Sequence, residues 1–185
     1  MESLLTEINQ IRQKIKKRAI DKSELQKPFA EAMYSFSMFM ITFYSRVRLH
    51  LKIDYDSFII LQTVVSHSVY HLNKKKNRSA SYEELETEWK ETFKKHTNHI
   101  DSNIKLTISS ICLVTGLPKE TTRRKVNNLI KKNLLKNSRK EGIILGPMYK
   151  KVFQEFVPQT TLHLSKLLKT WDRKGIIKSA LNFKI

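Results

Sequence analysis

Four residues, Thr115-Gly116-Leu117-Pro118, interrupt an otherwise helical pattern and set what the middle of this chain is able to become. Ile108, Ile111 and Cys112 before the break, and Leu117, Val126, Leu129, Ile130 and Leu134 after it, recur at helical spacing. Thr107 supplies a hydroxyl to cap the first, short helix. Gly116 permits the positive φ that ends it, and Pro118 fixes φ in the first turn of the next. Two helices joined by a tight glycine turn are therefore expected, the second over 118–132. Downstream, Leu134 to Asn137, then Arg139 to Gly142, then Ile143 to Leu145 read as strand, glycine-containing turn and strand.

Charge concentrates on the same stretch. Lys and Arg number 35 against 17 Asp and Glu, a net +18, and residues 105–152 hold 12 cations and 2 acids, a net +10. A chain whose basic character reflected biased composition alone would spread that excess evenly. Clustering predicts a polyanion-binding face, with duplex nucleic acid ahead of an anionic membrane.

A helix, a glycine turn, a second helix and a hairpin resemble the winged helix-turn-helix regulators. The stretch Gly116 to Leu135 is similar to the recognition helix of the cyclic-AMP receptor protein family. The order in which helices from Phe36 to Leu72 precede the motif is similar to the MarR family. This resemblance implies a mostly α fold with a small β-hairpin wing over 134–145, a winged helix-turn-helix core with extra N- and C-terminal helices. It also implies a sequence-specific duplex DNA-binding regulator of transcription. By the same resemblance Arg124 stands where a base-reading arginine is expected, and a guanidinium donates two hydrogen bonds to guanine O6 and N7. Glu120 accepts from a cytosine amino group and Lys119 reaches a guanine or a phosphate. Thr121, Arg123, Lys125, Lys131 and Lys132 suit backbone or mixed contacts, which position without specifying. Lys136, Arg139 and Lys140 belong to the wing, and Thr122 points inward, its methyl packed.

The remaining chain divides into N-terminal helices over 1–72, a basic loop and inserted helix over 73–104, the motif over 105–147, and C-terminal helices over 148–185. Leu4, Ile8, Ile11 and Ile15 form one helical stripe among Arg12, Lys14, Lys16, Lys17 and Arg18. Phe29 to about Lys52 reads as a long, largely buried helix, and Phe58 to about Leu72 as another after the capping stretch 53–57. Ser81 and Glu84 form a capping-box pattern opening a helix to about His96. Tyr149 to Phe156 is helical, Pro158 a break, and Leu162 to Trp171 helical again. These flanking helices carry more apolar surface than a small domain covers alone, which predicts a homodimer, the alternative being that they close the core of a single chain.

Competing chemistry is thin. His67 and His71 sit at i and i+4, and His96 and His99 form a second pair, yet a metal centre needs further ligands, and none is expected. No glycine-rich phosphate loop or nucleophile motif exists, so neither cofactor nor catalysis is expected. The space around Met33, Phe36, Met40 and Phe43 offers room for an unidentified small-molecule effector, although such residues are usually plain core. A lone cysteine, Cys112, no basic leader and no apolar run of membrane-spanning length indicate a cytoplasmic, nucleoid-associated protein. Replication initiation or plasmid maintenance, and a winged-helix protein-interaction module, are the alternative functions.

Overall fold

The structure is a computed structural model that describes residues 29–95, 105–139 and 141–181, together with Thr6, Asn9, Gln10 and Gln13. It is mostly helical, with one two-stranded antiparallel hairpin. Those four N-terminal residues are helical and exposed; the stripe Leu4, Ile8, Ile11 and Ile15 lies outside the described residues. No described helix is long and apolar enough to cross a membrane.

Helix α1 spans Phe29–Arg46, shorter than the sequence indicates, because a π-helical turn, Val47–Leu51, follows and Lys52 turns left-handed at φ 51°. Helix α2, Tyr55–Lys76, starts where the Asp54 carboxylate accepts the Ser57 amide at 2.8 Å. It outruns the expected end at Leu72, taking Lys74 to Lys76 into its last turn before Asn77 closes it at φ 52°. Helix α3, Tyr82–Lys95, opens on a reciprocal capping box: the Ser81 amide donates to Glu84 at 2.8 Å and the Glu84 amide to the Ser81 hydroxyl at 3.2 Å.

Helix α4, Ile108–Thr115, is capped by Thr107, whose hydroxyl accepts the Ser110 amide at 3.2 Å, and ended by Gly116 at φ 76°. Helix α5, Lys119–Lys131, follows with Pro118 as the capping residue just outside the first turn. Strands β1, Leu135–Ser138, and β2, Gly142–Leu145, pair antiparallel with Leu135 opposite Leu145 and Ser138 opposite Gly142. Leu106, far upstream, bridges to Gly142, its carbonyl accepting the Ile143 amide at 2.8 Å. Gly142 holds φ 78°, and a Cβ there would fall 2.2 Å from the Leu106 oxygen, so only glycine lets the two backbones meet.

Helix α6, Tyr149–Arg173, contains Pro158 in its interior, which overturns the expected break. The proline forgoes one hydrogen bond. Phe153 and Phe156 before it are buried, while after it the Trp171 indole donates to Ser35 at 2.7 Å; docking on both sides outweighs a local cost of about 3 kcal/mol. Helix α7, Ile176–Leu181, ends the described chain.

Ile60, Leu61 and Val64 of α2 are at most 1% exposed and centre the core, meeting Ile111 of α4, Val126 and Leu129 of α5, Ile143 and Leu145 of β2, and Phe156 of α6. Trp89 of α3 sets its edge on Tyr149 and Phe153. Helices α1 and α6 run antiparallel, joined by Glu31 to Lys174 at one end and by Phe43 on Phe156, 5.7 Å between centroids, at the other. Contrary to expectation, α1 is not largely buried. Its two charges, Glu31 and Arg46, both face α6, leaving Met33, Tyr34 and Ile41 exposed at 48–66% on a side without any charge. Of the residues expected to frame an effector space, Phe43 packs on Phe58 and Phe156, whereas Met33 and Phe36 are exposed.

Candidate nucleic-acid interface

Helix α5 sorts its residues by side. Thr122, Val126 and Leu129 recur at four and three residues and are no more than 1% exposed, so one edge of the helix is fixed in the core. The Thr122 side chain faces inward as its position implies, and its hydroxyl has no hydrogen-bond partner among the described residues. That anchoring turns Glu120, Arg123, Arg124, Asn127 and Lys131 outward, all of them exposed, over more than two helical turns.

Arg124 has no ion-pair or hydrogen-bond partner among the described residues. Glu120 and Arg123 are paired at 3.1 Å but stay 81% and 52% exposed, a weak tie that solvent and a competing phosphate readily undo. Lys119 is exposed at the first turn and Thr121 is half-buried. Lys131 and Lys132 are exposed at the last turn, where the Lys132 ammonium donates to the Lys52 carbonyl at 2.9 Å.

Lys125, expected as a backbone or mixed contact, is engaged within the chain. Its ammonium lies 2.6 Å from Asp54 and 3.3 Å from Asp56, with 12% of the side chain exposed. The hydrogen bond to Asp54 raises the Lys125 amine above its ordinary range, against a smaller opposing effect of burial. Burial works to raise the Asp54 carboxyl, but hydrogen bonds from Lys125 and Ser57 outweigh it and hold that carboxyl below the usual value. The same carboxylate thus caps α2 and fastens α5 to it.

Beside α5 the hairpin presents Lys136 and Arg139, both exposed. Lys140 lies outside the described residues. Lys105, which sequence reasoning did not single out, reaches the Arg139 carbonyl at 3.0 Å and adds a cation at the hairpin's turn. A second omission is Asn127. It stands seven residues after Glu120 and three after Arg124, at the centre of the outward side, and a carboxamide there has the donor and acceptor that match adenine N7 and N6. Its helical spacing from Arg124 was the available signal.

Elsewhere, the His67 and His71 rings meet with their Nε2 atoms 3.2 Å apart. Burial, aided by the neighbouring imidazole, pushes His67 down to about 4, so it is neutral at physiological pH. No cluster of three or more potential metal ligands occurs among the described residues, and His96 and His99 lie outside them. No protein family, curated protein or solved structure matches this chain.

Proposed function

We propose that this protein is a winged helix-turn-helix regulator of transcription that binds duplex DNA sequence-specifically as a homodimer. In this reading it is not an enzyme, and it works in the cytoplasm, associated with the nucleoid. The observation that carries the reading is the outward side of α5, where Glu120, Arg123, Arg124, Asn127 and Lys131 stand exposed on a helix whose opposite edge is locked into the core. Supporting it are the sequence of elements α2, Leu106 bridge, α4, glycine turn, α5 and hairpin, and the net +10 carried by residues 105–152. Helix α5 acts as the recognition helix, 13 residues long and of a width the major groove admits. Arg124, Glu120, Asn127 and Lys119 read base edges, while Arg123, Lys131 and the hairpin cations Lys136, Arg139 and Lys140 neutralise phosphates.

The second copy is assigned to the charge-free side of α1. Phe29, Met33, Tyr34 and Ile41 are 45–66% exposed. Together they leave on the order of 450 Å² in water, as large as the biggest patch of a typical lone domain and about half of what one partner contributes to a stable interface. A side with no charge is complementary to itself, and it lets two chains of net +18 approach without placing like charges in contact.

Selection of bound duplexes from a random pool at near-physiological salt tests the proposal. The expected result is an inverted repeat with half-sites about 34 Å apart, and log affinity falling against log salt with a slope of about −5 to −9. A slope near zero, or no enriched sequence, overturns it.

A further inference from the structure

His67 and His71 share one side of α2, away from the outward side of α5 in function and in sequence. Residues four apart on a helix stand one above the other, and here that stacking brings the two Nε2 atoms to 3.2 Å. Helix α2 runs from Tyr55 to Lys76, so the pair lies inside it with more than a turn on either side and its spacing is set by regular backbone. His67 is 2% exposed and held by packing. His71 is half-buried, and the Tyr70 ring lies nearly perpendicular to it with 5.4 Å between centroids.

Two explanations of that contact differ in geometry. A head-on hydrogen bond, one Nε2–H aimed along the lone pair of the other Nε2, separates the ring centres by the nitrogen–nitrogen distance plus the depth of both rings. The centroids are instead 4.4 Å apart, not much more than the nitrogens, and the rings are inclined at 65°. The two nitrogens therefore sit side by side rather than head to head, a poor alignment for a hydrogen bond between them. Side by side is what a shared cation requires. With metal–nitrogen bonds of about 2.0–2.1 Å, two imidazoles on one ion hold their nitrogens roughly 2.9 Å apart at a right angle and roughly 3.4 Å apart at the tetrahedral angle. The observed 3.2 Å falls between the two.

The surroundings select the ion. Residues 57–73 hold no Asp, Glu, Lys or Arg, so this stretch offers no carboxylate to Mg²⁺ or Ca²⁺, which take oxygen ligands, while neutral imidazole suits zinc, copper and nickel. Among the described residues no third side chain completes a cluster, which leaves the other coordination positions to water and makes the site an open one. We propose that His67 and His71 chelate one divalent transition-metal cation of the zinc and copper class through their Nε2 atoms, each ring keeping its proton on Nδ1. Chelation ties together residues one turn apart, so a bound ion holds the C-terminal half of α2 helical, and because α2 centres the core the whole chain gains stability. The site uses no residue assigned to the duplex and does not depend on the DNA reading.

Titration of the metal-free chain with Cu²⁺ alone, read by electron paramagnetic resonance, tests the site. The expected result is one tightly bound ion per chain whose spectrum carries hyperfine splitting from two nitrogens. Ni²⁺ and Zn²⁺ should bind the same site more weakly than Cu²⁺, and excess Mg²⁺ should not compete. His71→Gln should weaken Cu²⁺ by about 100-fold or more, at or beyond the upper end of what loss of a merely supporting group costs, and should remove the two-nitrogen pattern. His71 is half-buried and glutamine keeps a polar side chain there, so this arm decides the matter even where His67→Gln, at a buried position, fails to fold. Zn²⁺ should raise the Tm of the wild-type chain increasingly with its concentration and leave that of His71→Gln unmoved. His96→Gln with His99→Gln, the other closely spaced pair in the sequence, should leave the bound Cu²⁺ unchanged. A wild-type chain that takes up no Cu²⁺, a two-nitrogen spectrum that survives His71→Gln, or an ion lost with His96 and His99 overturns the proposal.

Discussion

The ammonium of Lys125 lies 2.6 Å from the carboxylate of Asp54, a residue 71 positions earlier, so one cation of the basic ladder on α5 is spent inside the fold. Lys125→Ala should therefore cost about 1 kcal/mol of stability, leaving Asp54 and Asp56 without their counter-charge, while binding to random duplex DNA barely changes. Urea denaturation and a DNA titration on the same variant check this. The Asp54 carboxyl is held below its ordinary value when folded, so its contribution is present above about pH 4 and is lost as pH falls through the lower folded value. Lys125→Met should remove that part of the acid limb.

Arg124 and Asn127 should behave as readers. Replacing either by Ala should lose about 1–3 kcal/mol on the selected duplex, confined to one base pair for each, and little on random DNA. Lys136→Ala should weaken all sequences alike and lower the salt slope by about 1. Binding titrations against single-base-pair variants of the selected site distinguish the two patterns.

Two glycines with the same left-handed conformation should respond differently to Ala. At Gly116 nothing lies within 4 Å of a built Cβ, so the cost is backbone strain of about 1 kcal/mol. At Gly142 the Leu106 carbonyl stands in the way at 2.2 Å, so the bridge must open and the loss should reach about 3 kcal/mol. Thermal melts of the two variants settle the ratio.

His67 is buried neutral, with its value pushed down to about 4 from an ordinary 6.5. Between those values the unfolded chain takes up a proton that the folded chain refuses. Stability should consequently fall as pH is lowered from about 6.5 towards 4, by up to roughly 3 kcal/mol, and should be insensitive to this group above pH 7. His67→Gln should flatten that slope in melts recorded across the range.

Sedimentation of the wild-type protein should give a dimer, and Met33→Glu combined with Ile41→Glu should give a folded monomer. The monomer should bind a half-site with much reduced affinity for the paired site. A monomeric wild-type protein would remove the assignment of α1 to a second copy.

What could be read along the chain was what neighbours in sequence decide. The Ser81–Glu84 box, the Thr107 cap, the Gly116 turn and the inward Thr122 depend on residues within a turn or two of each other, and each stands where the spacing places it. What escaped depends on distant segments. Pro158 breaks an isolated helix, but α1 supplies docking on the far side of it. Lys125 looks like its neighbours until Asp54 arrives from the start of α2. The Leu106 bridge needs a residue ahead of α4 to meet the hairpin behind α5. The exposed side of α1 reads as core in sequence because apolar residues there outnumber what one chain covers.

The pairing of α1 with α6 also bears on how the chain is made. Ser35 receives its bond from Trp171, 136 residues later, and Glu31 meets Lys174, 143 residues later. On the ribosome α1 emerges 136 residues ahead of its partner in α6, and for that interval a helix with almost no charge lacks the α6 surface it lies against. At about 5–20 residues per second that interval lasts several seconds or more, long enough for nascent chains on one message to associate through α1. Expression at reduced translation temperature or with a holdase present should therefore raise the soluble yield of the wild-type chain more than that of the Met33→Glu, Ile41→Glu variant.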